Sequence, residues 1–157
     1  MAFAWFDAFI QKLFPRVTRY RFADGVLENM RAMSLQTHPK EAIGMLQGAR
    51  EGNELVIHTI IFQPFKNTAY SATIHIDPTL TNIVGTFHSH PGASAEPSDA
   101  DLELFAEHAG VHVIVPEPYT RAVVHDSSGR VLDTLRIPLR GGREESRVKW
   151  RARRENR

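Results

Sequence analysis

The chain predicts a single mixed α/β domain, with a central mixed sheet flanked by helices and an extra N-terminal helix. Three observations predict it. Its 157 residues are enough for one domain with a real core. Short apolar or β-branched runs bounded by turn residues alternate with segments of helical period. No internal repeat interrupts that alternation.

The opening run, Ala2 to Phe14, is unusually apolar. Phe3, Phe6, Ile10 and Leu13 recur at helical spacing, which predicts an amphipathic helix over residues 1–15 that Pro15 ends. The run is too short to span a bilayer and carries Asp7, Gln11 and Lys12. It lacks a secretory leader's basic start and cleavage site, and its polar side has little positive charge for a membrane surface. Docking on its own domain, on a partner or on a second copy is expected ahead of lying in a membrane surface.

Residues 16–139 form the main domain. Val17 to Phe22 reads as a short extended piece. Asp24 to Gln36 reads as a helix, with Val26, Leu27, Met30, Met33 and Ser34 as its inner stripe. Ala42 to Gln47 is an apolar, buried strand in which Gly44 and Gly48 permit close backbone approach. Glu51-Gly52-Asn53 is a turn, and Leu55 to Phe62 is a β-branched strand. Gln63 to Asn67 is a loop, Ala69 to Ile76 alternates as a strand, and Asp77-Pro78 breaks it. Ile83 to His90 is a further strand. Ser98 to His108 is helical, with Leu102, Phe105 and Ala106 as the expected buried stripe. Val111 to Val115 is an apolar strand stopped by Pro116. Arg121 to Val124 and Val131 to Ile137 flank the hairpin turn Asp126-Ser127-Ser128-Gly129.

Residues 140–157 carry eight Lys/Arg against three acids, within a net charge of +1 for the whole chain. The body is therefore mildly acidic and the tail basic, which predicts a flexible, solvated extension. Nucleic-acid binding through it lacks a recognition motif, Trp150 being the lone aromatic among the basic residues. The chain has no cysteine, so disulfides, thiolate metal sites and cysteine nucleophiles are excluded. A reducing, cytoplasmic setting fits. Any metal must be held by His, Asp or Glu.

The chemistry concentrates in His88-Ser89-His90-Pro91, followed by Ser98 and Asp101. Two histidines one residue apart on a strand point to the same face, and Ser89 points to the other. A carboxylate from the next element could complete a three-ligand site with an open position for water. Asp101 suits that geometry, whereas Asp99 faces another direction on a helix. Ser98-x-x-Asp101 is also a capping box, so ligation and capping compete for one carboxylate. A hydrolytic site needs a proton acceptor near the metal but not bound to it. Glu41 is a candidate, and Glu28, Glu96, Glu103 and Glu107 compete with it.

Glu41 in Pro-Lys-Glu-Ala-Ile-Gly-Met-Leu-Gln-Gly, with His88, His90, Pro91, Ser98 and Asp101 at this spacing, resembles the JAMM motif of the MPN+ metalloproteases. Phe62–Asn67 followed by Ser71 to Asp77 resembles that family's second signature stretch, and the likeness covers roughly Asp24 to Leu139. It implies a cytidine-deaminase-like α/β sandwich and one Zn²⁺ bound by His88, His90 and Asp101. It implies Glu41 as general acid/base and Ser98 as a stabiliser of the oxyanion. The implied substrate is a peptide or isopeptide bond after the C-terminal glycine of a ubiquitin-like modifier, with the modifier and its conjugates as partners. The short loops resemble compact archaeal or bacterial members, whose modifier would be a β-grasp protein related to sulfur carriers. Two other functions stay open: a hydrolase of sulfur-carrier adducts in cysteine or cofactor synthesis, and a non-catalytic interaction module. Leu139-Arg140-Gly141-Gly142 echoes a modifier tail but reads as a linker.

Overall fold

The computed structural model describes residues 17, 19–62 and 81–139. Their strands are β1 (Arg19–Phe22), β2 (Ile43–Glu51), β3 (Glu54–Phe62), β4 (Ile83–His90), β5 (Val111–Pro116), β6 (Arg121–His125) and β7 (Val131–Arg136). Their helices are α1 (Val26–Thr37) and α2 (Asp99–Glu107). One sheet joins these strands in the order β1-β3-β2-β4-β5-β6-β7. β1–β3 and β4–β5 are parallel and the other pairs are antiparallel, so the sheet is mixed, as the patterning predicts. The expected N-terminal helix over 1–15, the loop Gln63–Asn67, the strand Ala69–Ile76 and the tail 140–157 lie outside the described residues.

Local chemistry accounts for the strand boundaries. β2 runs past the expected Gln47 to Glu51, because the two-residue turn Gly52-Asn53 returns the chain directly into β3. Gly48 is required inside that hairpin: a Cβ there would stand 2.0 Å from the Val56 carbonyl oxygen. β5 is buried along its whole length because α1 covers one of its faces and α2 the other, which is why its buried positions are continuous rather than alternating.

The sheet has two inner faces of different character. On one, Val26, Leu27 and Met30 of α1 share a buried apolar cluster with Phe87, Val113, Val115 and Val124. On the other, register aligns His88 with Ile114, Ile114 with Val123, and His112 with His125. Phe105 of α2 covers the histidines of this second face.

The stripe expected on α2 needs correction. Phe105 is buried, but Leu102 is 36% exposed and Ala106 is exposed. The helix instead turns Asp101 and Phe105, one turn apart, toward the sheet. Leu102 lies over the β6–β7 hairpin, where a Cβ on Gly129 would meet its Cδ2 at 2.4 Å. Among the described residues no helix is long and apolar enough to cross a membrane.

Candidate metal centre

β4 sits between β2 and β5, and its C-terminal end delivers both imidazoles to the α2 face. His88 is 3% exposed and lies edge-on to Phe105, ring centroids 6.0 Å apart. His90 is half-buried at the strand end. Its Nδ1–H donates to the Ser94 carbonyl at 3.1 Å. A carbonyl can only accept, so Nε2 of the neutral ring keeps its lone pair for another partner. The loop supplying that carbonyl is tied down twice: Arg121 Nη2 donates to the Ala93 carbonyl at 2.9 Å, and the Glu117 N–H is shared by the His90 and Gly92 carbonyls at 3.0 Å.

Asp101 arrives from the first turn of α2. The capping box is present: the Ser98 side chain accepts from the Asp101 N–H, and the Asp101 carboxylate accepts from the Ser98 N–H. The two carboxylate oxygens divide their partners. Oδ2 takes the Ser98 N–H at 2.8 Å and the Ser98 hydroxyl at 2.7 Å. Oδ1 faces His88 Nδ1 at 2.7 Å, and Oδ2 stands 3.4 Å from His90 Nε2. Burial alone would raise the Asp101 carboxyl, but His88, His90 and Ser98 outweigh it and hold it well below the usual carboxylate range. The same contact with Asp101, opposed by burial and helped by the Ser94 carbonyl and the Glu41 charge, raises His90 above its ordinary value.

The donor chemistry fits a small borderline cation: two imidazoles, one carboxylate and no thiolate. Neither ring nitrogen of buried His88 has an aligned hydrogen-bond partner, the approach of Asp101 Oδ1 being close but off-axis. Unpartnered buried imidazole nitrogens are costly unless something else satisfies them. Two donors of a tetrahedral zinc stand roughly 3.3 Å apart. The His90–Asp101 pair has this spacing at 3.4 Å, while the His88–Asp101 pair is contracted to 2.7 Å. Consistent with that contraction, among the described residues no three His, Asp or Glu side chains already stand as a finished metal cage.

Glu41 is exposed and precedes β2, two residues before Ile43, the register partner of His88. Its charge reaches His90. Of its competitors, Glu28 belongs to α1 on the other face of the sheet, Glu96 is exposed in the loop before α2, and Glu103 and Glu107 are exposed on α2. Asp99 is likewise exposed. The structure thus brings His88, His90, Ser98 and Asp101 together with Glu41 beside them. Sequence reasoning missed the environment of this group. Phe105 closes its floor, and buried His112 stacks on that ring. A histidine inside the apolar run Val111–Val115 was the available signal.

A profile of the family described as prokaryotic homologs of the JAB domain matches residues 23–126. A probable metalloprotease of Haloferax volcanii is 37% identical over 112 residues, covering 64% of this chain and 68% of that protein. A solved structure described as JAMM, a metalloprotease-like zinc site in the proteasome and signalosome, superposes with TM-score 0.57 and 27% identity, covering 74% of this chain and 95% of its own. A JAB1/MPN domain protein from Archaeoglobus fulgidus superposes with TM-score 0.55 and 27% identity, covering 73% and 92%.

Proposed function

The chain belongs to the JAMM/MPN metalloprotease family, as a prokaryotic homologue of the JAB domain, and on that footing we propose that it is a zinc-dependent isopeptidase. Its substrate in this reading is the peptide or isopeptide bond that follows the C-terminal glycine of a small ubiquitin-like modifier. The observation that carries the reading is the division of Asp101: one oxygen faces the strand imidazole His88, the other closes the cap of α2 on Ser98. A helix start and a strand end are thereby locked into one polar cluster beside Glu41.

In this reading His88, His90 and Asp101 hold the zinc. When bound, zinc supplies Lewis acidity: it polarises a scissile carbonyl and brings the acidity of water near neutral pH. Glu41, exposed and close enough for its charge to be felt at His90, takes the proton of the attacking water and returns it to the leaving lysine amine. Ser98 offers its hydroxyl to the developing oxyanion. That hydroxyl donates to Asp101 Oδ2 at 2.7 Å, so a rotation about its Cβ–Oγ bond redirects the proton while the oxygen stays in place. The Ser94 carbonyl holds the His90 ring in the tautomer that leaves Nε2 free.

The test is incubation of the zinc-loaded protein with modifier–lysine conjugates, with products identified by mass spectrometry and Glu41→Gln as the control. Release of an intact modifier ending in Gly-Gly together with the freed lysine-bearing protein is expected. A small free amino acid as product would assign the chain to sulfur-carrier processing instead. Absence of any cleavage by the zinc-loaded protein would overturn the enzyme reading.

A further inference from the structure

Ser89 lies between the two imidazoles in sequence but on the opposite face of β4, and it is fully buried. Its partner is the backbone of Ala42, the residue directly after Glu41. The Ser89 N–H donates to the Ala42 carbonyl at 2.8 Å, and the Ala42 N–H donates to Ser89 Oγ at 2.7 Å. The strand register between β2 and β4 ends just before this point, at Ile43 and His88. Where the ladder stops, a side chain supplies the acceptor. Ala42 is 1% exposed, so without Ser89 its N–H would be buried and unpaired.

The Ala42 nitrogen belongs to the same rigid peptide plane as the Glu41 Cα. We infer that Ser89 is a positioning residue for Glu41: by gripping the Glu41–Ala42 peptide from inside the core, it sets where the glutamate stands relative to His90. One residue of β4 thus couples the placement of the proton acceptor to the two imidazoles that flank it in sequence. The inference rests on the reading of Glu41 as general base.

The experiment compares Ser89→Ala and Ser89→Thr, each alone and in the Glu41→Gln background, on a modifier–lysine conjugate at saturating zinc. Ser89→Ala is expected to lower kcat by about 10²-fold, the cost of misplacing a reacting group by about 1 Å, with KM nearly unchanged. Zinc stoichiometry should stay at the wild-type level. The Ala42 amide should be protected from hydrogen exchange in the wild type, exchange rapidly in Ser89→Ala and regain protection in Ser89→Thr, whose kcat should recover. In the Glu41→Gln background Ser89→Ala should cost nothing further, because the group it positions is already gone.

An equal loss in both backgrounds would make Ser89 merely structural and overturn the inference. So would wild-type kcat in Ser89→Ala, or an Ala42 amide that stays protected in it. If Glu41→Gln itself kept near-native turnover, the general-base reading would fall first. Should Ser89→Ala not fold, Ser89→Cys keeps the volume with a weaker acceptor; intermediate kcat and protection are then expected, and wild-type values of both would overturn the inference.

Discussion

Phe105 lies flat on His112, ring centroids 4.1 Å apart and planes inclined by 14°. His112 is fully buried, and its two ring nitrogens are spoken for. Nε2 lies 3.1 Å from the His108 carbonyl, to which it must donate, so Nδ1 of the neutral ring accepts from the Thr86 hydroxyl at 2.9 Å. Both nitrogens of the neutral ring are thus satisfied, and it is burial, not these partners, that disfavours the charged imidazole.

A pH dependence of stability follows. Burial, against the opposing pull of the His108 carbonyl, lowers His112 to about 4 from its ordinary 6.5. Above 6.5 the ring is neutral in folded and unfolded chains alike. As pH falls from 6.5 to 4, the unfolded chain takes up a proton that the folded chain refuses, so stability drops across that window by up to about 3 kcal/mol. Urea unfolding of chelator-treated protein at pH 7.5 and 4.5 measures the drop. His112→Gln should be less stable at pH 7.5 and should show a shallower dependence; an unchanged slope would remove His112 from the account.

Removing the proton acceptor should separate chemistry from metal binding. Glu41→Gln is expected to retain the wild-type zinc content, since the side chain is exposed beside His90 and outside the imidazole–carboxylate cluster. Its kcat should fall by about 10²–10⁴-fold. Near-native turnover would move the role to another group.

His90→Ala and Asp101→Ala should both lose zinc, as read by elemental analysis after dialysis. They should differ in stability. Asp101→Ala keeps the N-cap bond to the residue 101 N–H but removes the acceptor of the Ser98 N–H and hydroxyl, a loss of about 1 kcal/mol. His90→Ala breaks the contact to the Ser94 carbonyl and the longer one to Asp101 Oδ2, both at the strand end, and should unfold closer to the wild-type midpoint. Stoichiometric zinc in either variant would contradict the ligand set.

Ser98 has two duties that substitution can split. It caps α2 by accepting the Asp101 N–H at 3.2 Å, and its hydroxyl is the proposed oxyanion donor. Ser98→Ala should lose both, lowering stability by about 1 kcal/mol and kcat by about 10²–10³-fold. Ser98→Asn keeps a good N-cap acceptor without the hydroxyl, so its unfolding midpoint should recover while kcat stays low. Recovery of both would reduce Ser98 to a cap.

The parts of this site legible in the sequence are those with short-range rules. Period two in β4 puts His88 and His90 on one face, and Ser98-x-x-Asp101 marks the start of α2. The inner stripe of α2 was misjudged because a helical wheel counts apolar residues, whereas here a carboxylate takes an inward position beside Phe105 and Leu102 leaves the core. Glu41 is set beside His90 by the pairing of β2 with β4, and strand order is not written in local pattern. The grip of Ser89 on Ala42 spans 47 positions, beyond any local signal. That Asp101 can cap and face His88 at once was hidden for another reason: a residue letter does not say which oxygen meets which neighbour.

The close approach of β4 and β5 gives the sharpest stability test. Gly85 of β4 pairs with Val111 of β5 and has φ +150°, a conformation side chains resist. A Cβ added there would stand 1.7 Å from the Val111 carbonyl oxygen and 2.7 Å from its carbon, both backbone atoms that cannot swing aside. The strands would have to part at the start of the strand that carries His88 and His90. Gly85→Ala is therefore expected to cost about 3 kcal/mol or more. Gly92, two residues past His90, is the control: nothing lies within 4 Å of a Cβ there, and Gly92→Ala should unfold within about 0.5 kcal/mol of the wild type. Urea midpoints of the two variants decide it. Equal midpoints would mean that β4 and β5 are less tightly apposed than the Gly85–Val111 contact requires, and with them the base on which the imidazole pair stands.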